Sequence, residues 1–324
     1  MEENAEKEIR LLLDGVIPER DDEIKRYLDN YSPYFSLCDD RPGFTIEAGA
    51  YGILKFTQRT MHIMWILGFS ANQALHSYSS LIALLRINGS TLDSNQLSAI
   101  PDQSAEEEKY AALISGVNEL AESETVNSFS WPKSVPIPED GRPADDEGAA
   151  TFDLICMSGA YVFLHEMKHI AFSLDSNAPE SLHEEELQCD LFAKGLMLDK
   201  LSNYSATSGY PLNRLITKRA MAIALSQFFM LVITPVESWS GTESHPSISD
   251  RISSIVSDLD IHEDDIFWLY ASSLFLAHYR YLQLGEIVVN FDSLQDLSMK
   301  LMVIIEKASN KSRQQDALKA RASA

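Results

Sequence analysis

The chain has 324 residues, 45% of them hydrophobic, with 48 acids against 26 bases and a formal net charge of −22. That length and apolar fraction suffice for one large core or two modest ones, while the acidity repels phosphate backbones and excludes nucleic acid as a general partner. Three cysteines, Cys38, Cys156 and Cys189, are too sparse and odd in number for a disulfide framework, and they fit a reducing cytoplasm.

Residues 2 to 30 read as one or two short charged helices, and the acids of "MEENAEKEIRLLLDGV" stand where a secretory signal needs bases. "GFTIEAGAYGILKFT", 43 to 57, is β-prone, with Gly49 and Gly52 marking a bend or bulge. A long apolar-rich helix follows and stops at Asn88-Gly89, and another covers about 104 to 122. The stretch from Trp131 to Ala150 holds four prolines, two glycines and five acids, so it predicts a long ordered loop or a lid.

Two helices come next, 151 to about 174 and "PESLHEEELQCDLFAKGLMLDKL", the second with Pro179 in its first turn and acids at its N-terminus. The C-terminal third predicts helices over about 213–236, 249–259, 264–284 and 293–308. The segment "AMAIALSQFFMLVITPV" is about as long as a short membrane span. Ser226, Gln227 and Pro235 interrupt it, so a helix buried in a soluble core is expected, with no membrane. Three blocks are expected: a helical N-terminal part over 1–125, a catalytic core over 126–260, and C-terminal helices over 261–324. The last block ends in a basic tail from about 307 (Lys307, Lys311, Arg313, Lys319, Arg321), read as a solvated helix end.

The chemistry is concentrated in "AYVFLHEMKHIAF", 160 to 172. Residues four apart share a helix face, so His165 and His169 can turn both imidazoles toward one tetrahedral zinc ion. Glu166 sits about 100° round the helix, within reach of a water activated by that metal, as a general base and acid. The apolar run on both sides argues for burial, which costs several kcal/mol for such groups unless they are paired or bind a metal.

Catalytic zinc normally takes a third protein ligand. Glu186 is preferred because Asp190 follows one turn later, where it can hydrogen-bond a histidine's second ring nitrogen or brace Glu186. His183, Glu184 and Glu185 compete. Glu184 and Glu185 read as a solvated helix face, Cys189 as packing, and Leu187, Leu191, the Lys194 stem and Leu198 as the helix's apolar face.

His165, Glu166 and His169, followed by Glu186 and Asp190 and the "CDLFA" continuation, resemble the gluzincin metallopeptidases. "SHPSISDRI" resembles the His-Pro…Arg-Ile element of the M48 peptidases, which implies that His245 and Arg251 hold substrate and stabilise the oxyanion. The same segment also reads as a turn and helix start capped by Ser247 or Ser249. Over about 130 to 255 the chain resembles the soluble phage-exclusion peptidases of the Lit type, peptidase family U49, with their Trp-Pro-rich loop and FLHE-xx-H helix, better than the integral-membrane M48 enzymes, whose long apolar spans it lacks. That resemblance implies a cytoplasmic enzyme of antiviral defence acting on a protein substrate such as the host translation factor elongation factor Tu.

His62, His76, His183, His262 and His278 stand singly in the pattern and predict structural roles. No G-x-S-x-G elbow, P-loop or G-x-G-x-x-G turn is present. The expectation is a mainly α (α+β) protein with a zincin-like core and a small β-sheet beside the HExxH helix, its edge strand open to an extended substrate. The expected function is a zinc endopeptidase with His165, His169 and Glu186 on Zn2+, and the alternative is a non-catalytic sensor or interaction protein with a structural zinc site.

Overall fold

Alternating helix-forming and turn-forming stretches produce a chain that is mainly helical. The computed structural model describes residues 2–256 and 259–307; the tail residues Lys311, Arg313, Lys319 and Arg321, and the reading made of them, lie outside. In chain order the helices are α1 (Glu2–Val16), α2 (Asp21–Tyr31), α3 (Gln58–Asn88), α4 (Ser94–Leu97), α5 (Gln103–Glu122), α6 (Asp146–Asp175), α7 (Leu182–Leu198), α8 (Leu201–Ser208), α9 (Leu212–Ile233), α10 (Ile248–Val256) and α11 (Ile266–Tyr281). Residues 294–307 are helical again. The strands are β1 (Tyr34–Cys38), β2 (Ile46–Ala48), β3 (Ile53–Thr57), β4 (Thr91–Asp93) and β5 (Val288–Asn290). The fold is therefore mainly α with small sheets, as expected.

Two compact units divide these elements, and neither is a continuous block. Unit 1 takes Met1–Phe69 and Leu113–Ser226, and unit 2 takes Ser70–Ala112 and Gln227–Ala324. The helices α3, α5 and α9 each contribute residues to both units, so a division drawn in chain order, such as 1–125, 126–260 and 261–324, does not follow them.

Unit 1 is built round α6. Asp145 caps its N-terminus by accepting from the Gly148 amide, and Asp146 and Glu147 lie in the first turn, where the helix dipole favours acids. The helix therefore begins five residues before the expected 151, and the loop after Trp131 ends at Asp145. One face of α6 packs on a three-stranded sheet of order β1-β3-β2, with β1 parallel and β2 antiparallel to β3. The ring of Phe163 meets Phe35 of β1 and Phe56 of β3 edge-on, at 6.4 and 5.3 Å. Strand β1 was not foreseen, since the β-prone stretch began only at 43. In the β2–β3 turn Gly52 takes φ +76, a conformation that suits glycine, and Tyr51 before it takes φ +61 and is 93% exposed. Gly49 is extended and imposes no bend.

Helix α7 packs along α6, and α3 meets the N-terminal half of α6. Gly68 of α3 stands so close to Ile155 that a Cβ there would lie 2.1 Å from Ile155 Cγ1; only glycine fits. Buried Arg59 of α3 chelates Asp40 through two 2.8 Å bonds and donates to the Leu120 carbonyl, tying α3, α5 and the β1–β2 loop together. The loop from Trp131 to Asp145 is pinned to α3. Trp65 Nε1 donates to the Pro136 carbonyl at 2.8 Å, and the Trp131 ring meets His62 edge-on.

In unit 2, α11 is buried along nearly its whole length. A three-residue ladder pairs β4 with β5 antiparallel across some two hundred positions of sequence. Arg86 and Asp264 form a bidentate pair at 2.8 Å, and Ser272 of α11 bonds Ser298 at 2.7 Å. Of the described helices α9 is long and apolar enough to cross a membrane, and 56% of its most apolar window is buried within the protein.

Candidate metal centre

The site begins with helix periodicity. On α6, His165 and His169 are one turn apart, and their Nε2 atoms stand 3.2 Å from each other. Two imidazole lone pairs meet at that distance only with a proton or a cation between them. The Glu186 carboxylate of α7 completes the triangle, with Oε2 3.3 Å from His165 Nε2 and Oε1 3.4 Å from His169 Nε2. Ligands of a tetrahedral zinc ion at 2.0–2.2 Å stand about 3.3–3.5 Å apart, so these three donors fit such an ion.

The outward nitrogens are fixed as well. His165 Nδ1 faces Asp190 Oδ1 at 3.0 Å, and His169 Nδ1 faces Glu185 Oε1 at 2.7 Å. An ionised carboxylate only accepts, so each Nδ1 carries the proton and each Nε2 turns its lone pair inward. Asp190 is wholly buried, and Tyr161 Oη donates to the same oxygen at 2.9 Å. Burial alone holds an imidazole neutral, but at His169 the carboxylates of Glu186, Glu185 and Glu166 prevail and raise its pKa to about 9, so without an ion Nε2 also holds a proton, which a bound cation would displace.

Glu166 lies beside this group and accepts a 2.7 Å hydrogen bond from the amide of Ala48, the last residue of edge strand β2. Burial raises its pKa above the ordinary carboxylate value, against the lowering pull of His165, His169 and the Ala48 amide. A carboxylate moved toward neutral is suited to taking and returning a proton.

Helix α7 turns a different face inward from the one read in the sequence. Glu186, Cys189, Asp190, Ala193 and Met197 are buried, whereas Leu191 is 44% exposed. The two acids therefore occupy the buried stripe itself, because their partners on α6 satisfy them there. Glu184 is exposed as expected, but Glu185 is no solvated acid: it braces His169. Cys189 is fully buried, in keeping with its reading as packing, and it also lies beside the two histidines. Its sulfur joins His165 and His169 in a group whose ligand atoms all lie within 4.8 Å of one another, although burial pushes its thiol up to about 12.

A family model described as Peptidase U49 matches residues 54–271, two-thirds of the chain. The chain belongs to the peptidase U49 family. It is accordingly a peptidase, with protein as its substrate class. No curated protein and no solved structure matches the chain. The U49 match contains every predicted site residue, while α1, α2, β1 and β2 precede it, Ala48 included.

His245 and Arg251 lie within the U49 match but in unit 2. His245 is exposed, with Nδ1 2.7 Å from Ser244 Oγ, in a turn where Thr242 N donates to the His245 carbonyl. Arg251 is buried on α10, and Ser247 Oγ accepts from the Asp250 amide, so the capping role foreseen for Ser247 holds. Sequence reasoning missed Glu185, Tyr161 and Ala48. The first was visible only as one acid of a run, and the other two carry no signal outside the fold.

Proposed function

We propose that this U49 peptidase is a zinc-dependent endopeptidase of the gluzincin kind. The observation that carries the reading is the triangle of His165 Nε2, His169 Nε2 and Glu186, with sides of 3.2, 3.3 and 3.4 Å. When bound, zinc would act there as a Lewis acid toward a peptide carbonyl and toward water. Asp190 and Glu185 hold the two imidazoles in the tautomer that presents Nε2. Glu166 takes a proton from the attacking water and returns it to the leaving amine. The Ala48 amide orients Glu166, and the neighbouring edge of β2 offers backbone groups to an extended substrate. For His245 and Arg251 we propose the binding of substrate and of the oxyanion, on the His-Pro…Arg-Ile pattern alone.

On the same resemblance we propose an anti-phage role in the cytoplasm, with elongation factor Tu as one protein substrate to test. The three free cysteines fit that compartment.

A second reading has an observation of its own. If Cys189 also bound the ion, four protein donors would close the coordination shell, and closed shells are structural. Zinc content of wild type, His165→Ala, Glu186→Gln and Cys189→Ala separates the readings. The enzyme reading expects about one zinc per chain in wild type and Cys189→Ala, with loss in the other two. Zinc lost from Cys189→Ala favours the structural site, and no zinc in wild type ends both.

A further inference from the structure

Away from the metal centre, unit 1 contains a cavity of about 540 Å³ lined by α1, the first half of α6, α8 and the start of α9. Ligand clefts fall in this size range, mostly apolar with a few convergent polar groups. Its walls are apolar, including Leu12, Val16, Met157 and Leu215, with the rings of Phe152 and Tyr204 beside them. The polar groups are cationic in excess. On the lining, Arg214, Lys218 and Arg219 stand against the single carboxylate of Asp153. Lys218 shares Asp153 with Arg142, which lies off the lining, at 2.8 and 3.1 Å, and Glu19, also off the lining, neutralises Arg219. Arg214, on the cavity lining, is exposed and makes no hydrogen bond or ion pair among the described residues. A surplus of positive charge at one apolar cavity is notable in a chain of net charge −22.

Gly15 gives an independent indication. It is the last but one residue of α1 and lies on the cavity lining. Its φ is not in the left-handed region, and a Cβ added there would meet nothing within 4 Å. Neither backbone conformation nor close packing accounts for it. What it does is leave the cavity wide.

We propose that this cavity is a binding site for a small amphipathic anion, an apolar or aromatic body bearing one carboxylate, sulfonate or phosphate. The body occupies the space between Gly15, Phe152 and Met157, and the anionic group meets Arg214 and Lys218. Electrostatic complementarity selects the charge, and the apolar walls supply the affinity.

The test uses 8-anilinonaphthalene-1-sulfonate as probe and N-phenyl-1-naphthylamine, the same ring system without sulfonate, as its neutral counterpart. Fluorescence titrations are run on the full chain as wild type, Arg214→Glu and Gly15→Phe, with near-ultraviolet circular dichroism to confirm folding. The expected result is saturable one-site binding of the sulfonate to wild type, at least tenfold tighter than the neutral probe. Arg214→Glu should abolish that preference, and Gly15→Phe, which fills the cavity, should remove both probes. Should Gly15→Phe fail to fold, Leu12→Trp replaces it. Non-saturable binding, equal affinity of wild type for the two probes, a sulfonate preference that survives Arg214→Glu, or binding of either probe that survives the cavity-filling variant overturns the proposal.

Discussion

His169 Nδ1 lies 2.7 Å from a carboxylate oxygen of Glu185, a residue that the sequence offers only as one of three consecutive acids. The contact fixes the tautomer that leaves Nε2 free to bind an ion, and losing such a bracing partner weakens metal affinity by roughly 10–100-fold. Glu185→Gln is therefore expected to lower zinc affinity by that factor in a chelator competition, while Glu184→Gln, on the exposed side, leaves it unchanged. Equal affinity for both variants would return Glu185 to the solvated face.

The approach of α3 to α6 rests on an absent side chain. A Cβ at Gly68 would lie 2.1 Å from Ile155 Cγ1, so Gly68→Ala forces two packed helices apart. Overpacking of this kind costs about 1–3 kcal/mol. The double variant Gly68→Ala with Ile155→Ala should recover part of the loss, because the two changes act on one contact. Urea unfolding of the four chains measures the coupling; strictly additive effects would contradict it.

His278 makes stability depend on acidity. It is buried among Phe228, Trp239 and Tyr281, with Tyr110 Oη at 3.4 Å, and desolvation lowers its pKa from 6.5 to about 3. The folded imidazole stays neutral while the unfolded one takes a proton below pH 6.5. Its contribution is thus fully present above 6.5 and is lost as pH falls toward 3, at about 1.4 kcal/mol per unit. Between pH 6.5 and 5, wild type should lose about 2 kcal/mol more than His278→Phe, which keeps a ring and lacks the titration. Parallel losses in a chemical unfolding series would show that His278 is accessible to protons in the folded state.

How far the sequence carried these features depended on their range. His165, Glu166 and His169 were legible because one helix turn brings them together, and Glu186 with Asp190 because the same spacing repeats on the next helix. The inward face of α7 was misread. A hydrophobicity pattern points to Leu187 and Leu191, but pairing across α6 and α7 makes the buried stripe acidic. The early start of α6 was hidden by Asp145, Asp146 and Glu147, which look like loop and act as a cap and a dipole-matched first turn. The Ala48–Glu166 bond and the β4–β5 ladder join residues more than a hundred positions apart, and no local pattern marks them.

The central claim is that Glu166 performs peptide-bond hydrolysis at a zinc centre held by His165, His169 and Glu186. Its most direct test is a mass-spectrometric survey of new protein N-termini in bacterial cells expressing wild type or Glu166→Gln, with and without phage, at matched zinc content. The account predicts new N-termini with wild type that disappear with Glu166→Gln, elongation factor Tu among the proteins to inspect first. An identical set of N-termini from the two chains would contradict it.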